Sequence, residues 1–420
     1  MLWIFSIVVY FVVYFPCHGE ASNCSAPISL EDYNSLFALY NSCDGPNWRW
    51  NPKYPNSTHW NFPSSPTDPC RNLWQGITCT PSANLVSCLV TEINLNFKKL
   101  RNKLPKEIGN FTSLELLDLS YNELTSTIPS TISRLDRLII LNLYYNFLEG
   151  TLPSSIYTMT KLKFISVEYN QLSGKVQSEI QFMTSLEEYY IEFNHFTGSI
   201  PKEIGSISSL VLCSVGNNYI KGTIPSELGR NTNLQGLYLY ENMLTGTIPT
   251  ELGQLQNVAN MWIEGNFLEG SIPTELGKIS VLSDFLVDNN MLTGSIPSEL
   301  CKILTMNSLD MSTNFMTGTL PSCMKVFIGL SEFLINNNYF SKAVPNDFLT
   351  WISLIQFDIS FNLLTGTFPL FVLEFHHLAE LLVSSNDFGG QIPTQIGMLT
   401  DLIALDVSQT AVTGQIGEIS

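Results

Sequence analysis

Positive charge is scarce in this chain. Twenty Lys plus Arg stand against 37 Asp plus Glu in 420 residues, a formal net charge of −17. Binding phosphates needs a basic face, so the balance argues against nucleic acid as a partner and against an anionic membrane surface. Five His and nine Cys are too few for a His/Cys-rich metal protein. Catalytic signatures are missing as well: no H-E-x-x-H, no C-x-x-C, no G-x-S-x-G, no Gly-rich phosphate loop and no kinase set. Acidic pairs such as Glu187-Glu188 read as solvated surface, and His376-His377 has no third ligand nearby in sequence. No enzyme activity, metal or cofactor is expected. What the chain has is apolar residues: 45% are hydrophobic and only 14% charged, which excludes disorder and supplies a large core.

One long apolar run exists, Met1 to Phe15, interrupted only by Ser6. As a helix it would reach roughly 22 Å, short of the roughly 30 Å bilayer core. It fits the apolar stretch of a secretory signal peptide over residues 1–19, cut after Gly19 or alternatively after Ala21. No later stretch could span a membrane. The mature chain is expected to be secreted or on the extracellular side of the plasma membrane, where cysteines can pair.

From Val90 onward the chain repeats itself. A unit L-x-x-L-x-L-x-x-N-x-L-x-G-x-I-P restarts at Leu114, Leu138, Leu162 and so on to Leu402, always at 24 residues, giving fourteen units without insertion or deletion. The ninth position is Asn from Asn122 through Asn386 without a break; Lys98 and Thr410 replace it at the ends. Pro fills its column in twelve units, missing at Gln177 and Gly417, and Gly fills its column in eleven. The period-2 part predicts a short strand with two inward apolar residues, and stacked units predict one parallel sheet. Asn can bond backbone with both its oxygen and its NH₂, so the Asn column predicts a buried structural ladder. The apolar column Phe111 to Leu399, broken only by Asn231, predicts a second spine under the convex side.

These units, for example Leu244-Thr245-Gly246-Thr247-Ile248-Pro249, resemble the plant-type 24-residue leucine-rich repeat. The resemblance implies an α/β repeat solenoid: a leucine-rich-repeat superhelix with a parallel sheet on its concave face, a 3-10 or irregular convex side and a disulfide-containing N-terminal cap. The domain reading is a cap over 20–89 and repeats over 90–420, the last one incomplete and uncapped. An end at Ser420 without a cysteine-bearing cap reads as a fragment of a longer receptor-like chain. In the cap, Ser29-Leu30-Glu31-Asp32 has capping-box spacing, and Cys70 to Cys79 resembles the C-x-W-x-G-V-x-C signature of plant-type caps, which implies a Cys70–Cys79 disulfide. Cys24, Cys43 and Cys88 leave one cap cysteine over, with the pairing open. Cys213 falls in an inward strand column and reads as a small buried hydrophobe. Cys301 and Cys323, 22 apart, fall on neighbouring convex coils within disulfide reach. Asn23, Asn56 and Asn110 open N-glycosylation sequons.

Function in such a scaffold rests on the variable strand residues that face outward. Four outward columns carry no Lys or Arg. Aromatics and acids gather in the third to ninth units, and Tyr144, Glu168, Tyr190, Glu192, Tyr238, Tyr240, Trp262, Glu264, Asp284 and Asp288 are the candidate ligand-binding residues. Rings give contact area and cation–π surface, while acids select positive charge. A further column, Phe97, Tyr121, Tyr145, Tyr169 and Phe193, reads as a packed aromatic ladder at the strand exit. The resemblance implies the ectodomain of a receptor-like protein or receptor-like kinase: a non-enzymatic module binding a peptide, protein or glycan, with cationic ligands favoured and a co-receptor among its partners. A secreted cell-wall hydrolase inhibitor and a structural wall or adhesion protein are the alternatives.

Overall fold

The structure, a computed structural model, describes residues 27–50, 58–62, 68–84 and 86–414. Residues 1–19, read above as a signal peptide, Cys24, Asn23, Asn56 and the last six residues lie outside the described residues. Within them every repeat makes the same coil. Cys88–Asn94, Leu116–Asp118, Ile140–Asn142 and their successors to Ala404–Asp406 form one parallel sheet in strict register, so that Glu188, Leu212, Gly236, Asn260 and Asp284 sit level across it. Ile77–Pro81 of the cap adds an antiparallel strand at the N-terminal edge. Two inward residues per strand, such as Leu237 and Leu239, are wholly buried.

Each coil then turns at the Asn column. Asn242 is typical: its Nδ2 donates to the carbonyls of Val215, Leu239 and Tyr240 at 3.0, 3.3 and 3.1 Å, and its Oδ1 accepts from the Ile220 N–H at 3.0 Å. One side chain thus closes its own turn and ties it to the preceding coil. The residue just before it has positive φ in every coil from Phe97 to Gln409, Gly265 included at φ 62°. Past the turn a second set of parallel strands runs along one flank, five strands from Arg101–Lys103 to His195–Thr197 and nine from Lys221–Gly222 to Ala411–Thr413. This flank sheet was not expected from the sequence. Its cause is the alternation of exposed and buried residues in N-x-L-x-G before the Gly column turns the chain away. Where Gly is replaced, Asn102, Ser126 and Lys342 hold φ near the same positive value.

On the convex side, a 3-10 turn follows each Pro, with Pro as its N-cap at twelve coils and Gln177 at the thirteenth. The second spine is buried along its whole length, Asn231 included, whose Nδ2 donates to the Ile204 carbonyl at 3.1 Å.

The cap begins with a helix, Leu30–Ser42, whose N-cap Ser29 Oγ accepts from the Asp32 N–H at 2.9 Å. Leu36 and Leu39 close the end of the core, and Trp48, Trp60 and Trp74 pack beside them. Cys70 is bonded to Cys79, Cys88 is also disulfide-bonded, and Cys43 and Cys213 are free and buried. Asn110 points into the joint between cap and repeats, its Nδ2 3.2 Å from Ser35 Oγ, so a glycan there would have to break that contact.

Cys301 is bonded to Cys323 across successive convex turns, with Cα atoms 5.8 Å apart. Replacing Cys323 with Ser should therefore lower stability by about 3 kcal/mol in non-reducing chemical denaturation. Alkylatable thiols at both positions in secreted material would exclude the bridge.

Candidate functional site

The concave sheet places the candidate residues on two rows. One carries Tyr190, Ser214, Tyr238, Trp262, Leu286 and Asp310 side by side on adjacent strands. The other, two residues on in each coil, carries Glu168, Glu192, Gly216, Tyr240, Glu264 and Asp288. Strand pleating points both rows away from the core.

The glycines decide how the rings lie. A Cβ at Gly216 would overlap the Tyr240 ring, and one at Gly236 would overlap Tyr238 and Leu212. With those side chains missing, Tyr240 leans back across Gly216 and its hydroxyl donates to Glu192 Oε2 at 2.9 Å, two coils away. Tyr238 meets Trp262 edge to face with centroids 5.0 Å apart, and Tyr240 lies 6.3 Å from the same indole. Burial beside Glu192 and Asp284 pushes the Tyr238 hydroxyl up to about 12. The three rings form one wall.

The predicted residues therefore do not make a single patch. Tyr144 belongs to the aromatic ladder, 4.9 Å from Tyr121 and 5.5 Å from Tyr169, in which Phe97 and Tyr121 stack at 4.1 Å and Tyr169 and Phe193 at 4.1 Å. Those rings spend their faces on each other. Glu168 and Glu192, expected as solvent-facing acids, are 2% and 4% exposed. The large rings around them close over them, which the outward column position alone did not reveal. Tyr190 donates to Glu188 Oε2 at 3.0 Å and packs on Phe164. Asp284 is occupied too, accepting from Asn260 Nδ2 at 2.6 Å and Ser283 Oγ at 3.0 Å.

What remains together is Tyr238, Tyr240 and Trp262 beside Glu264 and Asp288. To these the structure adds Asp310 and Glu241. Glu264 is held well above the ordinary carboxylate range, first by burial and then by Asp288, Asp310 and Glu241. Asp288 and Asp310 are raised for the same reasons, although Asn289 Nδ2 and the Ser312 N–H donate to them at 2.6 and 2.8 Å. Glu264 Oε2 and Trp262 Nε1 are enclosed and have no hydrogen-bond partner. Among the described residues no group of His, Cys, Asp and Glu is placed to hold a metal ion, and no helix is long and apolar enough to cross a membrane. The arrangement offers a ring wall and crowded carboxylates. Sequence reasoning missed Asp310, although it stands in the same outward column as Trp262, and missed the two glycines that seat the tyrosines.

Comparison with known proteins agrees with this geometry. A family model described as a leucine-rich repeat matches residues 112–172, and a second one matches 233–255. No curated protein matches by sequence. Among solved structures, the plant peptide hormone receptor RGFR1 in complex with RGF2 is 30% identical with a TM-score of 0.65, over 82% of this chain and 65% of that one. A TDR receptor is 27% identical with a TM-score of 0.70, over 77% and 60%. The Arabidopsis receptor kinase HAESA ectodomain, in complex with an extended IDA peptide hormone, is 28% identical with a TM-score of 0.67, over 77% and 58%. The chain spans less than two thirds of the length of each of these three.

Proposed function

We infer, from the premise that the chain is a leucine-rich-repeat protein, that it is an extracellular, non-enzymatic recognition module whose concave face binds a peptide segment carrying a basic residue. Residues 1–19 would be its signal peptide, 20–89 its cap and 90–420 its binding solenoid. Supporting the peptide reading, RGFR1 and HAESA are structural neighbours solved with peptide hormones.

The observation that carries the charge is the juxtaposition of Trp262 and Tyr240 with Glu264, Asp288 and Asp310, in outward columns that hold no Lys or Arg. Crowded carboxylates without a counter-ion are stabilised by a cation that arrives with the ligand. An ammonium or guanidinium there would meet carboxylates on one side and ring faces on the other. A glycan could use the rings but would leave the acids without a role.

Selection of a random peptide display library on the secreted chain should enrich Lys- or Arg-containing sequences. For a selected peptide, Trp262→Ala should cost about 2 kcal/mol, roughly 30-fold in affinity, as expected of a buried aromatic anchor. Leu382→Ala, on the same face but five coils from Trp262, should change affinity little. Equal losses at both positions, or binding indifferent to salt, would refute the reading.

A further inference from the structure

The tenth position of the repeat, between the buried Asn and the buried Leu, opens most flank strands, or lies two residues before the strand as at Tyr219, and faces solvent. In seven consecutive coils it is apolar: Tyr219, Met243, Phe267, Met291, Phe315, Tyr339 and Leu363, each between 43% and 57% exposed. Phe315 and Tyr339 stack at 6.3 Å. Outside this run the same position is His195 on one side and Asp387 on the other, both exposed. Neither the core nor the concave site uses these side chains. Half-exposed side chains of about 200 Å² each give the row roughly 700 Å² of apolar surface, more than the 300–600 Å² of an ordinary largest patch.

We propose that this row is a homodimer interface, in which the flanks of two copies pair antiparallel about a two-fold axis at Met291. Three observations favour a second copy as the occupant. The area matches the roughly 800 Å² per partner that a stable dimer needs once its rim is counted. A two-fold contact must be self-complementary, and the row reads nearly alike from both ends: Phe267 faces Phe315 of its copy, Met243 faces Tyr339, Tyr219 faces Leu363. The charges beside the row also avoid each other. Under the same axis exposed Glu269 meets Thr317, Glu241 meets Asn337 and Lys221 meets Thr365. No charged side chain lies in the row itself, so the copies approach along the one stretch of flank where their shared negative charge is least felt.

Sedimentation velocity of the full secreted chain over a concentration series tests this. A concentration-dependent dimer is expected, tighter in 500 mM than in 50 mM NaCl because salt screens repulsion between two acidic bodies. The double variant Phe267→Glu, Phe315→Glu should weaken it at least ~100-fold by setting like charges in the contact centre. Both side chains are half exposed, so unchanged thermal unfolding shows that the variant still folds, and Ile328→Glu on another face should leave the dimer as it is. Met291→Cys should cross-link to its own copy under mild oxidation, and Tyr219→Cys should not. A chain monomeric up to ~100 µM overturns the proposal and leaves the row to a different partner. So does a dimer indifferent to the double variant, or one in which the Tyr219 thiol links to itself and the Met291 thiol does not.

Discussion

Asn242→Ala should destabilise the solenoid by about 2 kcal/mol, chiefly by leaving a buried N–H without a partner. The size follows from which groups are orphaned and which are only weakened. The Ile220 N–H loses its sole partner, while the Val215, Leu239 and Tyr240 carbonyls each lose one of two donors and keep Asn218 Nδ2, Asn266 Nδ2 and the Asn217 N–H. Asn242 is only 6% exposed, so water cannot replace it without opening the turn. The three weakened carbonyls contribute less than full losses would, and costs within one network do not simply add. Asn242→Asp separates the two halves of the role. The carboxylate can still accept from Ile220 but cannot donate to Val215, Leu239 and Tyr240, and it buries a charge among carbonyl oxygens. It should be the worse of the two at neutral pH. Chemical denaturation of both variants beside the parent checks this. An Asp variant as stable as the parent would mean that the NH₂ group does little, and the ladder would then be an acceptor array only.

That prediction was within reach of the sequence; the binding site was only partly so. The fold was legible because its determinants are periodic. Asn, Gly and Pro each do one local job per coil, and columns filled in eleven or twelve of fourteen units, all in phase, leave no other solenoid. The flank sheet was harder, since only two to five residues per coil take part and the pattern looks like loop. The site was harder still because it depends on what neighbouring columns leave out. Nothing in the letter Gly at 216 says that Tyr240 will cross two coils to Glu192; the space matters only once the sheet is stacked in register. Likewise Glu168 and Glu192 share a column with Glu264. They differ from it in neighbours: Tyr144 flanks that pair on one side and Tyr240 crosses Gly216 to close the other, whereas Glu264 lies between Tyr240 and Asp288. Burial of an outward residue is a property of the rings around it, and rings vary from coil to coil.

The same acids make a second prediction in which stability and binding move in opposite directions. Glu264, Asp288 and Asp310 all have folded-state pKa values above those of the free side chains. The stability they contribute is therefore complete below the ordinary carboxylate pKa, while they are protonated, and is lost as pH rises through the raised values toward neutrality. The unliganded protein should lose stability on this account as pH rises from about 4 through the raised values of Asp288, about 6, and Asp310, about 7, opposite to the usual effect of salt-bridged carboxylates. Glu264→Gln keeps the shape and removes the charge that Asp288 and Asp310 oppose. It should stabilise the protein at pH 7.5 by on the order of 1 kcal/mol and do almost nothing at pH 4. In the same variant a basic peptide should bind at least ~10-fold more weakly at pH 7.5, since the carboxylate it would pair with is gone. A residue whose removal steadies the fold and harms recognition is one retained for its ligand. Unfolding midpoints at the two pH values and one titration decide the matter. A destabilised Gln variant would mean that Glu264 is already satisfied in the folded chain, and a stabilised variant with unchanged affinity would move the cation to another part of the concave face.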